Sequence, residues 1–475
     1  MKADKTIAII GGGSAGFTAA ETAARLGARV LFFVGNRGDH ASLCVNAGCM
    51  PSKALFQVID EMHHARSRSW LSIKPEHPKE YLAQLVAWKD HEIARFRECR
   101  EKDIRHHESS KFTIIRANAC FVDAHTLESQ RKQYTADAII LATGSTPIYP
   151  PIDGLEALRN AVWTSEEILN NTKLPESLAV IGGGAVGLEF SLRYMRLGSN
   201  VTVLSRGRLL PGYDARYGER LATIYQHEGV SVLANQTVTR IGRNTQGWFI
   251  ITTEGAGGSR QIISERVLLA AGRRPMVDDL NLEAIGVVTG EDGCLPISDD
   301  MRVAGQEHIF AAGDITGRRM VVHDAHIEAD IAAENAVTAG ARRWLRQTNL
   351  RVIFSDPEFA FAGMSVEEAR CAGHKVATAM EESSNVGKLH LVGDNAGFGE
   401  LIADEQSHRL LGAGLLCVDA SELIHLPAYA IAHEQTVREL ANAEYYHPTK
   451  IEIISNLADT LSRQLGDIPH SRAAE

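Results

Sequence analysis

Residues 5–34 read KTIAIIGGGSAGFTAAETAARLGARVLFFV, and this stretch decides the fold class. Its pattern predicts four consecutive segments: a strand over 5–10, a glycine turn over 11–16, a helix over 17–26 and a strand over 29–34. Gly11, Gly13 and Gly16 keep the G-x-G-x-x-G spacing, which between a strand and a helix indicates a dinucleotide site. Such glycines let the backbone approach a pyrophosphate, and the helix N-terminus offers N–H donors and a positive dipole.

The same pattern recurs about 170 residues later in the chain. It predicts a strand over 178–181, a glycine turn over 182–187, a helix ending near 197 and a strand over 200–204. Gly182, Gly184 and Gly187 repeat the spacing of the first turn. Two such units so far apart predict two separate dinucleotide-binding domains with parallel sheets, and therefore an α/β protein.

Length, charge and cysteine usage exclude several classes of protein. The chain has 475 residues, enough for about three domains at roughly 150 residues each. Its formal net charge of −10 argues against a nucleic-acid partner, because phosphate binding needs a basic surface. No run approaches the ~18 apolar residues of a membrane helix, and the first apolar stretch is too short for a signal peptide. Seven cysteines without a secretion signal do not indicate a disulfide framework, so we expect a cytoplasmic protein that binds no membrane.

The rest of the chain alternates predicted helices and strands around these two units. In order, the pattern predicts charged helices over 51–107, strands over 111–140, a proline-rich linker over 147–151, a strand over 267–272, a turn over 272–275, a strand over 308–312 and an alanine-rich helix over 321–339. After residue 349 it predicts strands, turns and two C-terminal helices, and residues 466–475 are expected to form a disordered tail.

Cys44 and Cys49 carry the sharpest local chemical signal. Pro51 suits the first turn of a helix, so Cys49 is expected at or near a helix N-terminus, where the dipole favours a thiolate. Two cysteines separated by four residues can form a short-loop disulfide that cycles between oxidised and reduced states. The alternative, two buried unreactive thiols, is disfavoured by the dinucleotide turn just upstream.

The stretch CVNAGCMPSK at 44–53 resembles the redox motif of the pyridine nucleotide–disulfide oxidoreductases. Further motifs of that family match in order: GGGSAG at 11–16, ATG at 142–144, GGGAVGLE at 182–189, AAGRRP at 270–275, FAAGDITG at 310–317, VVHDA at 321–325, FSDPEFAFAG at 354–363 and HPTKIE at 447–452. The resemblance covers almost the whole chain. It implies two Rossmann-like dinucleotide-binding domains, one for FAD and one for NAD(P), and an α+β C-terminal dimerisation domain.

The resemblance also implies domain boundaries and a homodimer. The implied domains are a first FAD-binding part over 1–150, an NAD(P)-binding domain over 151–275, a second FAD-binding part over 276–348 and a dimerisation domain over 349–475. In this family the dimer completes the active site, because one subunit supplies an acid/base histidine to the site of the other.

Residue by residue, the resemblance assigns sets of cofactor-binding and catalytic positions. The FAD set comprises Gly11, Gly13, Ser14, Ala15, Gly16, Lys53, Ala119, Thr143, Gly144, Asp314, Val322 and His323. The remaining cofactor positions are Gly182, Gly184, Gly187, Glu189, Ser205, Arg206, Arg208 and Gly272. The catalytic set comprises Cys44, Cys49, His447 and Glu452, and no metal ligand is implied.

The family mechanism places the nicotinamide and the cysteine pair on opposite faces of the flavin, with which the nicotinamide exchanges hydride. Cys44 is then the exposed thiol that exchanges with substrate, and Cys49 forms a charge-transfer pair with oxidised flavin. Lys53 lies near the reactive flavin nitrogen and pairs with Glu189.

His447 and Glu452 form a weak signal by themselves, because a histidine five residues before a glutamate is common at a solvated helix start. The resemblance identifies them as the acid/base pair that serves the partner subunit's site. Thiol–disulfide exchange needs a base for the incoming dithiol and an acid for the leaving thiolate. A carboxylate on one ring nitrogen fixes the tautomer and stabilises the imidazolium.

The residues after the second strand of each unit bear on the choice of nucleotide. Ser205, Arg206 and Arg208 stand where NAD-specific members keep an acid, and two arginines suit the 2′-phosphate of NADP(H). NADPH is therefore favoured, with NAD(H) as the alternative. In the first unit the corresponding position is Val34, and Asn36 is the candidate for binding the ribose instead.

The function that fits best is that of a dihydrolipoamide dehydrogenase-like enzyme, which passes electrons between NAD(P)H and a small dithiol or disulfide. Two alternatives stay open: an NADPH-dependent reductase of another, glutathione-type disulfide, and a diaphorase or quinone-type flavoprotein. With lipoamide as substrate, a 2-oxoacid dehydrogenase complex would be the partner. Mercuric reductases carry a cysteine pair near the C-terminus, whereas the last cysteine here is Cys417. The pairs His63-His64 and His106-His107 are interpreted as solvated rather than metal-binding.

Overall fold

The computed structural model describes residues 5–35, 42–67, 78–107, 109, 111–344 and 348–467. Asn36 and most of the predicted tail, residues 468–475, lie outside these ranges. Contacts divide the chain into two compact units. The first unit consists of residues 1–150, 163–173 and 271–345, and the second unit consists of residues 151–162, 174–270 and 346–475.

Strands and helices alternate along the described residues. The strands are β1 Thr6–Ile10, β2 Arg29–Phe33, β3 Phe112–Ile115, β4 Cys120–Phe121, β5 Thr126–Ser129, β6 Lys132–Thr135, β7 Ala138–Leu141, β8 Ser145–Pro147, β9 Ser177–Ile181, β10 Asn200–Leu204, β11 Ser231–Leu233, β12 Thr237–Arg243, β13 Phe249–Gly255, β14 Gly258–Ser264, β15 Arg266–Leu269, β16 Arg273–Pro275, β17 Ile309–Ala311, β18 Arg351–Ile353, β19 Glu358–Gly363, β20 Val376–Glu382, β21 Phe398–Asp404 and β22 Leu410–Cys417. The α-helices are α1 Ser14–Arg25, α2 Leu43–Ala47, α3 Cys49–Ser67, α4 Leu82–His107, α5 Ser165–Leu169, α6 Ala185–Leu197, α7 Ala215–Glu228, α8 Val322–Thr338, α9 Val366–Cys371, α10 Gly387–Val392, α11 Ala420–Leu423, α12 His425–Ala432, α13 Val437–Ala441 and α14 Glu452–Gln464.

The first unit is built on a five-stranded parallel sheet of order β17-β7-β1-β2-β3. Ile7, Ile9 and Ile140 are fully buried, as expected for parallel strands that are covered on both faces. Helices α1 and α8 pack against each other on this sheet. Because β1 lies next to β2 and β7, the loops at its carboxyl end meet at one edge, where dinucleotides bind in such sheets.

The second unit contains a four-stranded parallel sheet of order β11-β10-β9-β15 and two antiparallel sheets. The larger antiparallel sheet has the order β18-β19-β22-β21-β20. Helix α14 packs on β20 and β21 through Ile453, Ile454, Leu457 and Leu461, all fully buried. Ile453 and Ile454 are each followed three or four residues later by Leu457, and Leu457 four residues later by Leu461, which forms the apolar stripe of an amphipathic helix.

Several details differ from the sequence predictions. The predicted turn over 272–275 is wrong, because Arg273–Pro275 forms β16 and pairs antiparallel with β8, whose last residue, Pro147, is the first residue of the predicted linker. The strand predicted over 267–272 ends at Leu269. After residue 349 the described chain contains six short or medium helices, α9 to α14, rather than two, since four of them are too short to show a helical period.

Among the described residues, no helix is both long enough and apolar enough to cross a bilayer.

Candidate active site

The glycine turn of the first unit is held closely by its own backbone. Gly11 has φ of +122°, and a Cβ added there would lie 2.0 Å from the carbonyl oxygen of Ala142. A Cβ on Gly16 would lie 1.7 Å from the carbonyl oxygen of Gly11. Both positions therefore exclude side chains because of packing within the chain itself.

Gly13 differs from these two glycines, because a Cβ there would meet no protein atom within 4 Å. It is the residue that precedes α1, which begins at Ser14, with Ala15 and Gly16 in its first turn. The space above Gly13 and the N–H groups at the start of α1 form a cradle that fits a pyrophosphate-bearing group. The residues present thus fit a dinucleotide such as FAD.

Asp314, predicted to bind FAD, is held in a network that the sequence does not reveal. Ser145 donates its hydroxyl to Asp314 Oδ2 at 2.6 Å, and Arg273 Nε donates to the same hydroxyl oxygen at 2.7 Å. The pairing of β8 with β16 brings Ser145 and Arg273 together. In the adjoining segment, the Thr143 hydroxyl donates to the Met276 carbonyl oxygen.

The other predicted cofactor positions of the first unit lie on several elements. Ala119 is buried in the apolar core, and Gly144 has φ of +80°. Val322 begins α8 and the exposed His323 follows it. Gly272, with φ of +108°, precedes β16.

Two ion-paired or buried groups brace the start of α8, and neither was predicted. Arg319 and Asp324 form a buried pair at 2.7 Å. The fully buried Glu328 accepts the N–H of Gly313 at 2.9 Å. A Cβ on Gly313 would lie 2.8 Å from the Ala15 side chain, so these groups fix the segment before Asp314 against the first glycine turn.

The two cysteines lie on consecutive helices, and their sulfur atoms are not bonded to each other. Cys44 belongs to α2, whose N-terminus is capped by the Ser42 hydroxyl. Cys49 is the first residue of the 19-residue helix α3, as predicted, so the helix dipole favours its thiolate. A Cβ on Gly48 would lie 2.9 Å from the Leu43 carbonyl oxygen, which shows how tightly the link between the helices turns.

The pKa of Cys44 is raised well above its usual value. The main cause is the hydrogen bond with Cys49, followed by burial and by the charge of a neighbouring thiolate. The pair therefore resists a second negative charge while one thiolate is present. The Cys44 side chain is half-buried and that of Cys49 is exposed, and α3 packs against α2. Which of the two thiols exchanges with substrate remains a prediction.

Lys53 and Glu189 belong to different units, and their predicted pairing remains a prediction. Lys53 lies one turn after Cys49 on α3, with its ammonium 5.5 Å from the centre of the Phe56 ring. Glu189 is buried on α6, and its carboxylate accepts the N–H of Phe354 at 2.9 Å.

The glycine turn of the second unit repeats the geometry of the first. Gly182 has φ of +130°, and a Cβ there would lie 2.1 Å from the Ala270 carbonyl oxygen. A Cβ on Gly187 would lie 2.1 Å from the carbonyl oxygen of Gly182. Gly184 precedes α6 and, like Gly13, leaves open space above the helix start. A second dinucleotide fits here.

The residues predicted to read the 2′-phosphate follow β10. Ser205 is buried, and a Cβ on Gly183 would lie 2.6 Å from its hydroxyl oxygen. Arg206 and Arg208 are both exposed, and Arg208 donates to the carbonyl oxygen of Tyr213. Two guanidinium groups therefore stand at the surface beside the second turn.

His447 and Glu452 form the predicted pair. His447 Nδ1 lies 2.8 Å from Glu452 Oε1, and the other carboxylate oxygen of Glu452 accepts the N–H of Thr449 at 2.9 Å. Glu452 begins α14, where a negative charge is favoured, and its side chain is 22% exposed against 69% for His447. The carboxylate is thus fixed while the imidazole is presented to solvent.

Within the described ranges, no cluster of three or more histidine, cysteine, aspartate or glutamate side chains could hold a metal ion.

Comparisons with known proteins bear on the whole chain. Residues 5–329 match the family described as pyridine nucleotide-disulphide oxidoreductase, and residues 350–458 match the dimerisation domain of that family. A mercuric reductase of Streptomyces lividans is 31% identical over 469 residues, covering 97% of each chain. A dihydrolipoyl dehydrogenase of Thermus scotoductus is 30% identical over 459 residues, covering 96% of this chain and 97% of the other.

Among solved structures, the Cu(II) complex of the HOCl-induced flavoprotein disulfide reductase RclA from Escherichia coli superposes with a TM-score of 0.85. It is 25% identical and is covered over its full length, together with 97% of this chain. The family predicted from the motifs is therefore confirmed, as is the mixed α/β fold with a dimerisation domain. This chain belongs to the pyridine nucleotide-disulphide oxidoreductases, a family of flavoprotein oxidoreductases that depend on FAD and NAD(P)H.

Proposed function

We propose that this protein is a homodimeric, NADPH-linked reductase of a small disulfide that uses the Cys44–Cys49 pair, with dihydrolipoamide dehydrogenase-like chemistry. The 2.8 Å contact between His447 Nδ1 and Glu452 Oε1 carries the proposal. It gives the chain an oriented proton donor and acceptor, which thiol–disulfide exchange requires and direct reduction of a dye or quinone does not.

The chemistry of the cysteine pair balances as a two-electron exchange. His447 accepts the proton of the Cys44 thiol as its sulfur attacks one sulfur of the substrate disulfide, and then returns that proton to the substrate sulfur that leaves. Cys49 next attacks the Cys44 sulfur and gives up its own proton through His447 to the second substrate sulfur, so that the pair ends as a disulfide and the substrate as two thiols. Glu452 stabilises the imidazolium and keeps its Nε2 available for the next proton.

Bound FAD would supply the route by which two electrons from NAD(P)H return to the Cys44–Cys49 disulfide. In the first unit, the turn at 11–16, the segment at Thr143 and Gly144, and Asp314 would hold it. Ser145 and Arg273 orient the carboxylate of Asp314 through hydrogen bonds of 2.6 and 2.7 Å. The buried glycine contacts exclude side chains from the cradle.

We propose NADPH as the preferred nicotinamide because Arg206 and Arg208 are exposed beside the second turn, where a 2′-phosphate would lie. Ser205 places no carboxylate there to repel that phosphate. The cytoplasmic location and an association with a 2-oxoacid dehydrogenase complex remain predictions. The dimerisation domain at 350–458 supports the homodimer.

Reduction of Hg(II) is the second candidate, because several relatives are mercuric reductases. Two observations count against it. Cys417 is buried and residues 418–475 contain no cysteine, so these residues offer no thiol pair that could capture the ion. The presence of the His447–Glu452 pair favours a substrate that exchanges protons as well as electrons.

A substrate panel tests the proposal. The purified holoenzyme is assayed with lipoamide, glutathione disulfide, Hg(II) and an electron-accepting dye, each with NADPH and with NADH. We expect one disulfide to be turned over at least about tenfold faster than Hg(II), and His447→Ala to remove that activity selectively. Asn442→Ala, at the nearby end of α13, is the matched control. Turnover confined to Hg(II) or the dye would refute the assignment.

A further inference from the structure

The loop that presents His447 is tied to a neighbouring turn by an ion pair. Lys450 lies inside the loop, between His447 and Glu452, and its ammonium contacts Asp419 Oδ2. Its backbone carbonyl oxygen also accepts the N–H of Ile453, one residue into α14. Lys450 therefore links the start of α14 to the segment that contains Asp419.

Asp419 adopts a conformation that is unfavourable for a residue with a side chain. Its φ and ψ are 60° and 25°, in the left-handed region that favours glycine. It also occupies the position before α11, where an aspartate normally caps the helix, but its side chain makes no capping hydrogen bond. The carboxylate instead contacts Lys450, so helix capping does not explain the aspartate at this position.

The turn around Asp419 is held on both sides by carboxylates, of which Asp394 is buried and Glu358 is half-buried. Asp394 accepts the N–H of Val418 at 2.7 Å, and Glu358 accepts the N–H of Ser421 at 2.9 Å. Burial raises the pKa of both carboxyl groups. Because these hydrogen bonds hold the turn around Asp419 in place, the ion pair restrains the loop 447–452 and not the turn.

We propose that Lys450 is a positioning residue for the acid/base pair: its ion pair with Asp419 holds the loop 447–452 in the orientation that the reaction needs. This inference rests on the proposed role of His447. An exposed ion pair contributes little to folding stability, which leaves geometry as its main effect. Lys450 and Asp419 are 24% and 50% exposed, respectively.

Two single variants separate positioning from stability. Lys450→Met removes the charge and keeps the side-chain length, whereas Asp419→Gly removes the partner and suits the left-handed backbone. We expect each variant to lower kcat for the faster of lipoamide and glutathione disulfide by about fivefold, with KM changed less than about twofold. Asp419→Gly should melt no lower than the wild type, because glycine relieves the backbone conformation.

Three further variants complete the test. The double variant should lose no more activity than either single variant, since both remove one contact. Lys450→Arg should keep at least about half of the wild-type kcat because it restores the pair. Arg409→Met, which removes the exposed pair of Arg409 with Glu434 at 3.0 Å in the same unit, is the control and should leave kcat unchanged. Dye reduction should be the same in all variants.

Three results would overturn the positioning role. They are a kcat within twofold of the wild type in Asp419→Gly, equal losses of disulfide and dye reduction, and an additive loss in the double variant. His447→Ala is measured in parallel, so that failure of the proposed function can be told apart from failure of the positioning role of Lys450. If His447→Ala leaves disulfide turnover intact, the proposed function falls together with this inference. If only His447→Ala lowers turnover, the proposed function stands and Lys450 is a surface ion pair.

Discussion

The two glycine turns of this chain have nearly the same backbone geometry. In each, the first glycine has φ above +120° and faces the carbonyl oxygen of an alanine from a neighbouring strand, at 2.0 Å for Gly11 and 2.1 Å for Gly182. In each, the last glycine packs on the carbonyl oxygen of the first. Gly13 and Gly184 meet no protein atom, so glycine is needed there only if a ligand approaches. The turns therefore specify a dinucleotide and not which dinucleotide.

The difference between the units lies after the second strand. In the first unit Val34 follows β2, and in the second unit Ser205 and Arg206 follow β10. The middle glycine of each turn faces this residue, since a Cβ on Gly12 would lie 2.9 Å from the Val34 carbonyl oxygen and one on Gly183 2.6 Å from the Ser205 hydroxyl. We propose that nucleotide selectivity depends on one short segment per unit, which mutation can reach without disturbing the turn.

The largest expected effects come from adding a methyl group to the last glycine of each turn. Gly16→Ala forces a Cβ into the Gly11 carbonyl and should yield protein with no retained FAD. Gly187→Ala makes the same change in the second unit and should keep FAD, while raising the KM for NADPH more than about 100-fold. Bound-flavin absorbance and steady-state kinetics measure the two outcomes. Loss of FAD in both variants, or in neither, would break the assignment of one nucleotide to each unit.

Gly13→Ala and Gly184→Ala are the matched pair for that experiment. Because both positions are open on the protein side, the apoprotein should melt within about 1 °C of the wild type. Affinity for FAD or for NADPH, respectively, should still fall by about tenfold or more, since the added methyl group occupies the cradle. Unchanged affinity would mean that no ligand approaches these glycines.

The next expected effect compares a catalytic residue from each unit. Cys44→Ser should abolish disulfide reduction, and His447→Ala should lower it by the ~10²–10⁴-fold that is typical of a lost general acid/base. Dye reduction should survive in both, because neither residue is needed to reduce flavin. Since His447 is proposed to serve the partner's site, a heterodimer of the two variants should regain activity at one of its two sites. A verified heterodimer without activity would argue against that arrangement.

Much of this architecture could be predicted from the sequence, because it depends on local patterns. The first βαβ unit, the helix start at Cys49 and the pairing partner of His447 all follow from short motifs. What could not be predicted depends on contacts between distant residues. Ser145 and Arg273 meet at Asp314 only because β8 pairs with β16 across more than a hundred residues, and the sequence of β16 by itself resembles a turn.

The motif predicts the roles of Cys44 and Cys49, and these roles remain predictions, whereas the packing of α3 on α2 depends on contacts that a single sequence does not show. Lys450 and Asp419 gave no signal either, since a lysine in a loop is usually solvated.

A smaller effect concerns the choice of nicotinamide in the second unit. Arg206→Glu should erase or reverse a preference for NADPH over NADH that we expect to be about 10–100-fold in kcat/KM. The introduced carboxylate repels the 2′-phosphate and can accept the ribose hydroxyls of NADH. Arg243→Glu, on β12 of the same unit, controls for the change in net charge. An equal or higher kcat/KM with NADH in the wild type would contradict the proposal that Arg206 and Arg208 bind the 2′-phosphate.

The smallest effect concerns acid stability, where the two units carry contrasting carboxylates. In the second unit Asp404 is nearly buried and its pKa is lowered, chiefly by the hydrogen bond from His374 at 2.5 Å. A carboxyl group whose pKa is lowered in the folded state stabilises the fold at pH values above its unfolded-state pKa of about 3.9. This stabilisation is lost as the pH falls through the folded-state pKa. His374→Ala should therefore lower Tm by about 1–2 °C at pH 7 and by less near pH 3.

Arg274→Ala is the control in the first unit. It removes the partner that lowers the pKa of Asp278, but that pair is exposed, so Tm should change by less than about 0.5 °C at either pH. A larger loss from Arg274→Ala than from His374→Ala would contradict the contrast between the two carboxylates.

The central claim is that Cys44 and Cys49 form a redox pair linked electronically to bound flavin. An anaerobic titration of the holoenzyme with dithionite, followed by flavin absorbance, tests it most directly. The account predicts that the wild type takes up about two equivalents per FAD, with a long-wavelength band after the first, whereas Cys44→Ser takes up about one. Uptake of a single equivalent by the wild type, indistinguishable from Cys44→Ser, would contradict the claim.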